Sequence, residues 1–212
     1  MSAPLGPGTF VAVVGASGVG KDSLIAYAHR HSEAFFPRRV ITRGPGADED
    51  HRPVSPAEFD SACARGDFAV HWAAHGLRYG IPVEVDDAVT SGRTVVANVS
   101  RSVLDELANR YARLVVVRVT VSDAVQRDRL RARGRESHDA VATRLARPDP
   151  APHRSADIVI CNDGSVAEGG EQLVRILRAG GRRDRDTVAG HETGDVPRLI
   201  DPDRVLPTSP GP

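Results

Sequence analysis

Lysine is almost missing from this chain: of 28 basic residues among 212, Lys21 is the only one, and every other is arginine. A base-composition bias accounts for arginine wherever it serves as well as lysine. It does not account for the single place where it did not serve. Cysteine is nearly as scarce. Cys63 and Cys161 are too few for a disulfide scaffold and lack metal-ligand spacing, so both are expected as small core residues. No apolar run approaches the ~18 residues of a membrane-spanning helix. The opening MSAPLGPGTF has neither a basic n-region nor an apolar h-region, so the expected compartment is the cytosol. Net charge is also missing, with 28 acidic residues against 28 basic ones. That balance argues against coating nucleic acid or an anionic membrane as the main task.

What remains is an ordinary globular composition, 40% hydrophobic and 26% charged, at a length that suits one domain with a tail. Thr9 to Val14 reads as a buried strand that stops at Gly15, and Leu114 to Val117 is another unbroken apolar run. Further strands are expected at Arg39 to Thr42, Phe68 to Trp72, Thr94 to Val99 and Asp157 to Cys161. Helical stretches fall between them: Pro56 to Ala64, Val83 to Thr90, Ser102 to Arg110 behind a Ser100 cap, Ser122 to Arg133, Ser137 to Arg147 and Val166 to Arg178. Apolar strands alternating with helices imply an α/β fold with a parallel sheet covered on both faces. From about residue 180 the chain is rich in Gly, Pro, Arg and Asp, and a mobile tail over 181–212 is expected. There is no internal repeat.

Gly15 to Asp22 reads G-A-S-G-V-G-K-D, matching the phosphate-loop pattern G-x-x-x-x-G-K-[S/T] at every fixed position but the last. The flanking strand and helix are the right context. Glycines let backbone N–H groups of Gly15, Ala16, Ser17, Gly18, Val19 and Gly20 curve around phosphate oxygens, and the helix N-terminus adds partial positive charge. Lys21 would reach the β- and γ-phosphates, where a compact ammonium on a flexible stem follows a moving phosphoryl group better than a planar guanidinium. A ligand-free glycine turn is the rival reading, and it leaves the sole lysine unexplained. At the last position Asp22 stands where a hydroxyl would ligate Mg²⁺. Either Asp22 holds the metal, or Ser23 takes part after a local shift.

Together with the loop, Val40-Ile41-Thr42-Arg43, Glu49-Asp50-His51, Glu58-Phe59, the segment FAVHWAAHGLRYGIP (Phe68 to Pro82), Asn98-Val99-Ser100-Arg101 and Arg133-Gly134-Arg135-Glu136 resemble, in order, the guanylate-kinase-like family of P-loop NTPases. More closely they resemble its ribose 1,5-bisphosphate phosphokinase branch. The resemblance covers residues 9 to 178. It implies a five-stranded, mostly parallel core sheet, an acceptor-binding insert over about 37–82 and a helical lid over about 127–147, within a kinase domain of 1–180. It also implies ATP and Mg²⁺ as cofactors and a small phosphorylated sugar as acceptor, with no nucleic acid or membrane partner. Guanylate kinases read the base with a serine and a glutamate at positions that here hold Arg39 and Val70. Losing the acceptor carboxylate would leave base N–H groups unpaired, at about 1 to 3 kcal/mol each. An added arginine favours a second phosphate instead. A further guanylate-kinase arginine is replaced by Gly46, for which Arg52 could compensate.

If the acceptor is the 1-phosphate of ribose 1,5-bisphosphate, the nucleophile is a phosphate oxygen whose second pKa is about 6, and no general base is needed. Positive charge is needed instead, because two polyanions must approach in line. The resemblance places Arg39, Arg43, Arg78 and Tyr79 on the acceptor side. It places Arg131, Arg133 and Arg135 in the lid over the donor, with Arg144 on the second lid helix and Arg127 and Arg129 on a solvated face. Asn162 follows the last strand, either at the base edge or as a turn residue. Asn98 ends a central strand where a Mg²⁺-orienting aspartate is common, so the metal would be held mainly by ATP and water. His51, His71 and His75 lack zinc spacing and are expected to be satisfied or sugar-contacting, and Trp72 to be core. Two other functions compete: a nucleoside monophosphate kinase with altered base recognition, and an inactive guanylate-kinase-like binding module. The loop lysine and arginine-rich lid count against the module.

Overall fold

The computed structural model describes residues 3–44, 50–126 and 154–179. In chain order the elements are β1 (Thr9–Val14), α1 (Lys21–His31), β2 (Arg39–Ile41), β3 (His51–Pro53), α2 (Pro56–Arg65), β4 (Phe68–Ala74) and β5 (Leu77–Pro82). There follow α3 (Val85–Thr90), β6 (Thr94–Asn98), a 3-10 turn at Arg101–Val103 capped by Ser100, α4 (Leu104–Arg110), β7 (Leu114–Thr120), β8 (Ile158–Cys161) and α5 (Val166–Arg178). Among the described residues no helix is long and apolar enough to cross a membrane. The expected lid (127–147) and tail (181–212) lie outside the described residues.

Every residue of β1 is buried, as a central strand covered on two faces must be. The core sheet runs β6-β1-β7-β8, all pairs parallel. Strand alternation divides β1 between two cores. Phe10, Ala12 and Val14 face α3, α4 and the inner strands of the insert, while Val11 and Val13 face Leu24 and Ala28 of α1 and Leu173, Val174 and Leu177 of α5. The expected five core strands are thus four among the described residues. The fifth position, beside β6, is held by a single parallel bridge from Phe35 to Val95. Pro37 follows two residues later and has no N–H to extend that pairing.

A second sheet, β3-β2-β5-β4, rises from the core between β2 and β5 and is antiparallel except for the β2–β3 pair. Sequence periodicity did not predict β3 or β5, the latter because it carries Gly80 and ends at Pro82. The β4–β5 hairpin turns at His75 and Gly76, whose φ values of 55° and 73° suit a two-residue turn between twisted strands. α2 begins with Pro56 behind a Ser55–Glu58 capping box, and α5 behind a Ser165–Glu168 box. Hydrogen bonds from each serine's backbone N–H and hydroxyl hold both glutamates below the usual carboxylate pKa. At the far end of the core, Asp86 accepts from Tyr111 Oη at 2.7 Å and pairs with Arg110; burial raises the Tyr111 pKa.

Two expectations of burial are corrected. Cys63 is only partly covered, and Cys161 is exposed. β8 is the edge strand of the core sheet, so Ile160 turns inward while its alternating neighbours Val159 and Cys161 do not. Trp72 is partly buried against the core and stacks on Tyr79, with centroids 5.4 Å apart and planes 4° from parallel.

Candidate active site

The phosphate loop follows β1 without a break. Gly15 has φ +151°, and a Cβ there would stand 2.4 Å from the Val119 carbonyl oxygen, so only glycine lets β1 turn this close to β7. Gly18 and Gly20 take φ of 85° and 90°, and Gly20 caps α1 with no side-chain hydrogen bond. The first turn of α1 thus has no side-chain cap, the setting in which helix N-termini bind phosphate. The loop's carbonyls, which would repel phosphate, are met by protein donors. Lys21 Nζ donates to the oxygens of Gly15 and Ala16, each at 2.9 Å. Buried Gln126 donates to Ser17 O at 3.0 Å, and buried Asn162 donates to Val19 O at 2.8 Å. Asn162 thus supports the loop from the β8–α5 turn. Gln126, which sequence reasoning did not single out, ties the helical stretch at 123–126 to the same loop.

Asp22 sits in the first turn of α1 and makes the most informative contacts at the site. Its Oδ1 accepts from Arg39 Nη2 at 3.0 Å and from Asn98 Nδ2 at 2.8 Å. Arg39 Nη1 also donates to the Asn98 backbone oxygen at 3.2 Å. Arg39 is the first residue of β2, and its side chain is 11% exposed. Three elements converge here: α1 from the donor side, β2 from the insert and β6 from the core. Ser23 is exposed next door. Asp22, Ser23, His29, Arg39, Asp50 and Asn98 share one cavity of about 320 Å³.

Alternation along β5 separates two residues expected together. Tyr79 stacks on Trp72, whereas Arg78 points the other way onto α2, pairing with Asp60, donating to Pro56 O at 2.9 Å and lying over the Phe59 ring. Arg78 is not brought to the cleft. Nor is Arg52, which lines the α2 side of the insert and helps lower the pKa of Glu58. Arg43 follows β2, with its carbonyl oxygen 3.4 Å from Nε2 of buried His51. His71 lies among the rings of Phe59 and Phe68, and His75 is in the hairpin turn. Among the described residues no group of three or more potential His, Cys, Asp or Glu ligands comes together. Val70 is wholly buried in the core, so no carboxylate faces an acceptor at that position. Arg127, Arg129, Arg131, Arg133, Arg135, Arg144 and Gly46 lie outside the described residues.

A glycine-rich loop at the carboxyl edge of a parallel sheet, a lysine bonded to that loop's carbonyls and a smaller second sheet give the chain a guanylate-kinase-like α/β fold. A crystal structure of guanylate kinase from Anaplasma phagocytophilum matches with a TM-score of 0.61 over 87% of this chain and 90% of that one, at 20% identity, which is a likeness of fold. No protein-family model matches the chain. A ribose 1,5-bisphosphate phosphokinase (PhnN) of Pseudofrankia inefficax is 65% identical over 179 residues, 84% of this chain and 94% of that one. One from Bradyrhizobium diazoefficiens is 45% identical over 178 residues, 82% and 90% of the two chains. The chain belongs to the ribose 1,5-bisphosphate phosphokinase family.

Proposed function

We infer that the protein transfers the γ-phosphate of ATP to the 1-phosphate of ribose 1,5-bisphosphate, forming 5-phosphoribosyl 1-diphosphate and ADP, in the cytoplasm and in phosphonate catabolism. The relatives' shared name supplies the acceptor. The observation in this chain that supports it is the acceptor side of the cleft, where Arg39 stands at the loop mouth and buried Val70 replaces a base-reading carboxylate.

A 1-phosphate oxygen attacks Pγ, the bond from Pγ to the β,γ-bridging oxygen breaks, and ADP leaves with that oxygen. The nucleophile is already largely ionised at neutral pH, so no side chain has to remove a proton. The chain's task is to neutralise and align. The loop amides and Lys21 hold the β- and γ-phosphates, and Arg39 and Arg43, with Tyr79, hold the acceptor. By the family resemblance, Arg131, Arg133 and Arg135 would supply charge to the donor phosphates and Arg144 to the acceptor. The donor set suits Mg²⁺. The hydrogen bonds from Arg39 and Asn98 to Asp22 both fall on Oδ1, and its Oδ2 and the Ser23 hydroxyl are hard oxygen atoms of the kind Mg²⁺ takes. One or two protein ligands completed by phosphate and water is the usual Mg²⁺ arrangement. When bound, the ion spreads the negative charge of the phosphate oxygens.

The test offers purified protein ATP and Mg²⁺ with either ribose 1,5-bisphosphate or GMP and follows ADP release. Release with the sugar bisphosphate is expected; release with GMP alone would sink the reading.

A further inference from the structure

A carboxylate directly after the phosphate-loop lysine is a liability in a site that gathers polyanions. Where the usual hydroxyl is neutral, Asp22 brings a negative charge to the path of the terminal phosphate. The structure offsets it locally. Arg39, reaching across from the first residue of β2, places Nη2 3.0 Å from Asp22 Oδ1, and the Asn98 amide donates to the same oxygen at 2.8 Å. A second guanidinium nitrogen is pinned to the Asn98 carbonyl at 3.2 Å. A long, flexible side chain is thus fixed at two points and nearly buried.

We propose that Asp22 and Arg39 act as one positioning unit in the transfer site. Asp22 aims the guanidinium of Arg39 at the junction where donor and acceptor phosphates meet, Arg39 cancels the charge of Asp22, and the pair ties the phosphate loop to the acceptor insert. Asp22 departs from the loop pattern because Arg39 is there to receive it, and Arg39 is held near the transferred phosphoryl group instead of gripping a remote phosphate. This rests on the site being a phosphoryl-transfer centre.

The two residues are then coupled in a way that independent ligands would not be. Arg39→Gln leaves an uncompensated carboxylate beside the triphosphate and weakens binding of a non-hydrolysable ATP analogue at least tenfold. Measured in EDTA, Asp22→Asn changes that binding less than threefold, and in the Mg²⁺-dependent reaction it raises the acceptor KM, because Arg39 loses its aim. In the double variant, analogue binding returns to within about threefold of wild type. Calorimetric titration of the full chain with the β,γ-imido analogue measures this cycle without any acceptor. A coupling of at least tenfold, in Mg²⁺ and again in EDTA, is expected. Effects that simply multiply would overturn the proposal, as would a coupling that vanishes without Mg²⁺, which would make Asp22 a metal ligand alone. If Arg39→Gln does not fold, Arg39→Lys carries the test: it keeps the charge but cannot bridge Asp22 and Asn98 together. Analogue binding then stays within threefold while the KM for ribose 1,5-bisphosphate rises at least tenfold, and an unchanged KM refutes the proposal. Because the titration needs no acceptor, failure of ribose 1,5-bisphosphate as substrate would sink the functional reading and leave this cycle readable.

Discussion

Asn162→Ala removes a support of the phosphate loop that lies outside the loop itself. Asn162 is 2% exposed, its Nδ2 donates to the Val19 carbonyl at 2.8 Å, and Val19 is 2% exposed as well, so water does not readily replace the lost donor. A typical hydrogen bond contributes about 1 kcal/mol net, and a stranded buried carbonyl costs about 1–3 kcal/mol, so the expected loss is about 2 kcal/mol. For a chain of this size each kcal/mol moves the melting temperature by roughly 2–4 °C, which gives a fall of about 4–8 °C. Differential scanning calorimetry of the full chain reads it directly. The same variant should gain less melting temperature than wild type from saturating Mg²⁺ and ATP analogue, because the loop that binds nucleotide has lost its backing. A fall below about 1 °C, with an unchanged nucleotide-induced gain, would refute the claim that Asn162 braces the loop.

Lys21→Ala should lower kcat by at least 100-fold with little change in melting temperature, since its amine bonds to the loop's own carbonyls of Gly15 and Ala16; a steady-state assay and a melt check both. Gly15→Ala should destabilise by several times the loss of a surface variant, because its Cβ would meet the Val119 oxygen at 2.4 Å at a φ unsuited to alanine; urea unfolding measures this. Arg78→Ala should reduce stability through its lost contacts with Asp60 and Phe59 while leaving the acceptor KM within about twofold, a split that kinetics and melting resolve. Glu58 and Glu168 have folded-state pKa values below the ordinary glutamate value, so their stabilising effect is complete above about 4.5 and is lost as pH falls through the lower folded-state values. The double variant Glu58→Gln/Glu168→Gln should therefore show a shallower loss of stability than wild type over that acidic range in denaturant titrations.

The path of the loop after β1 was readable from sequence because its positive-φ turns need glycine, and the spacing of Gly15, Gly20 and Lys21 records that path. The acceptor half was less readable because it depends on register. Arg78 and Tyr79 are neighbours in sequence, yet a strand sends them to opposite faces, and which faces the cleft is fixed only when β5 pairs with β4 and β2. β5 itself was hidden by Gly80 and Pro82. At Gly80 a Cβ would fall 2.6 Å from the Phe68 ring, a requirement visible only once both strands are in place. The Asp22–Arg39 pair joins residues 17 apart across a loop, a helix and the start of a strand, so neither partner announces the other. Strand content alone makes Cys161 read as core, whereas its exposure follows from the place of β8 at the sheet edge, which is a matter of topology.

The most direct measurement is the ³¹P NMR spectrum of the reaction of purified protein with ATP, Mg²⁺ and ribose 1,5-bisphosphate. Two coupled diphosphate resonances attached at C1, beside an unchanged 5-monophosphate signal and accumulating ADP, are the predicted result. A diphosphate at C5, or inorganic phosphate with no sugar diphosphate, would contradict the account.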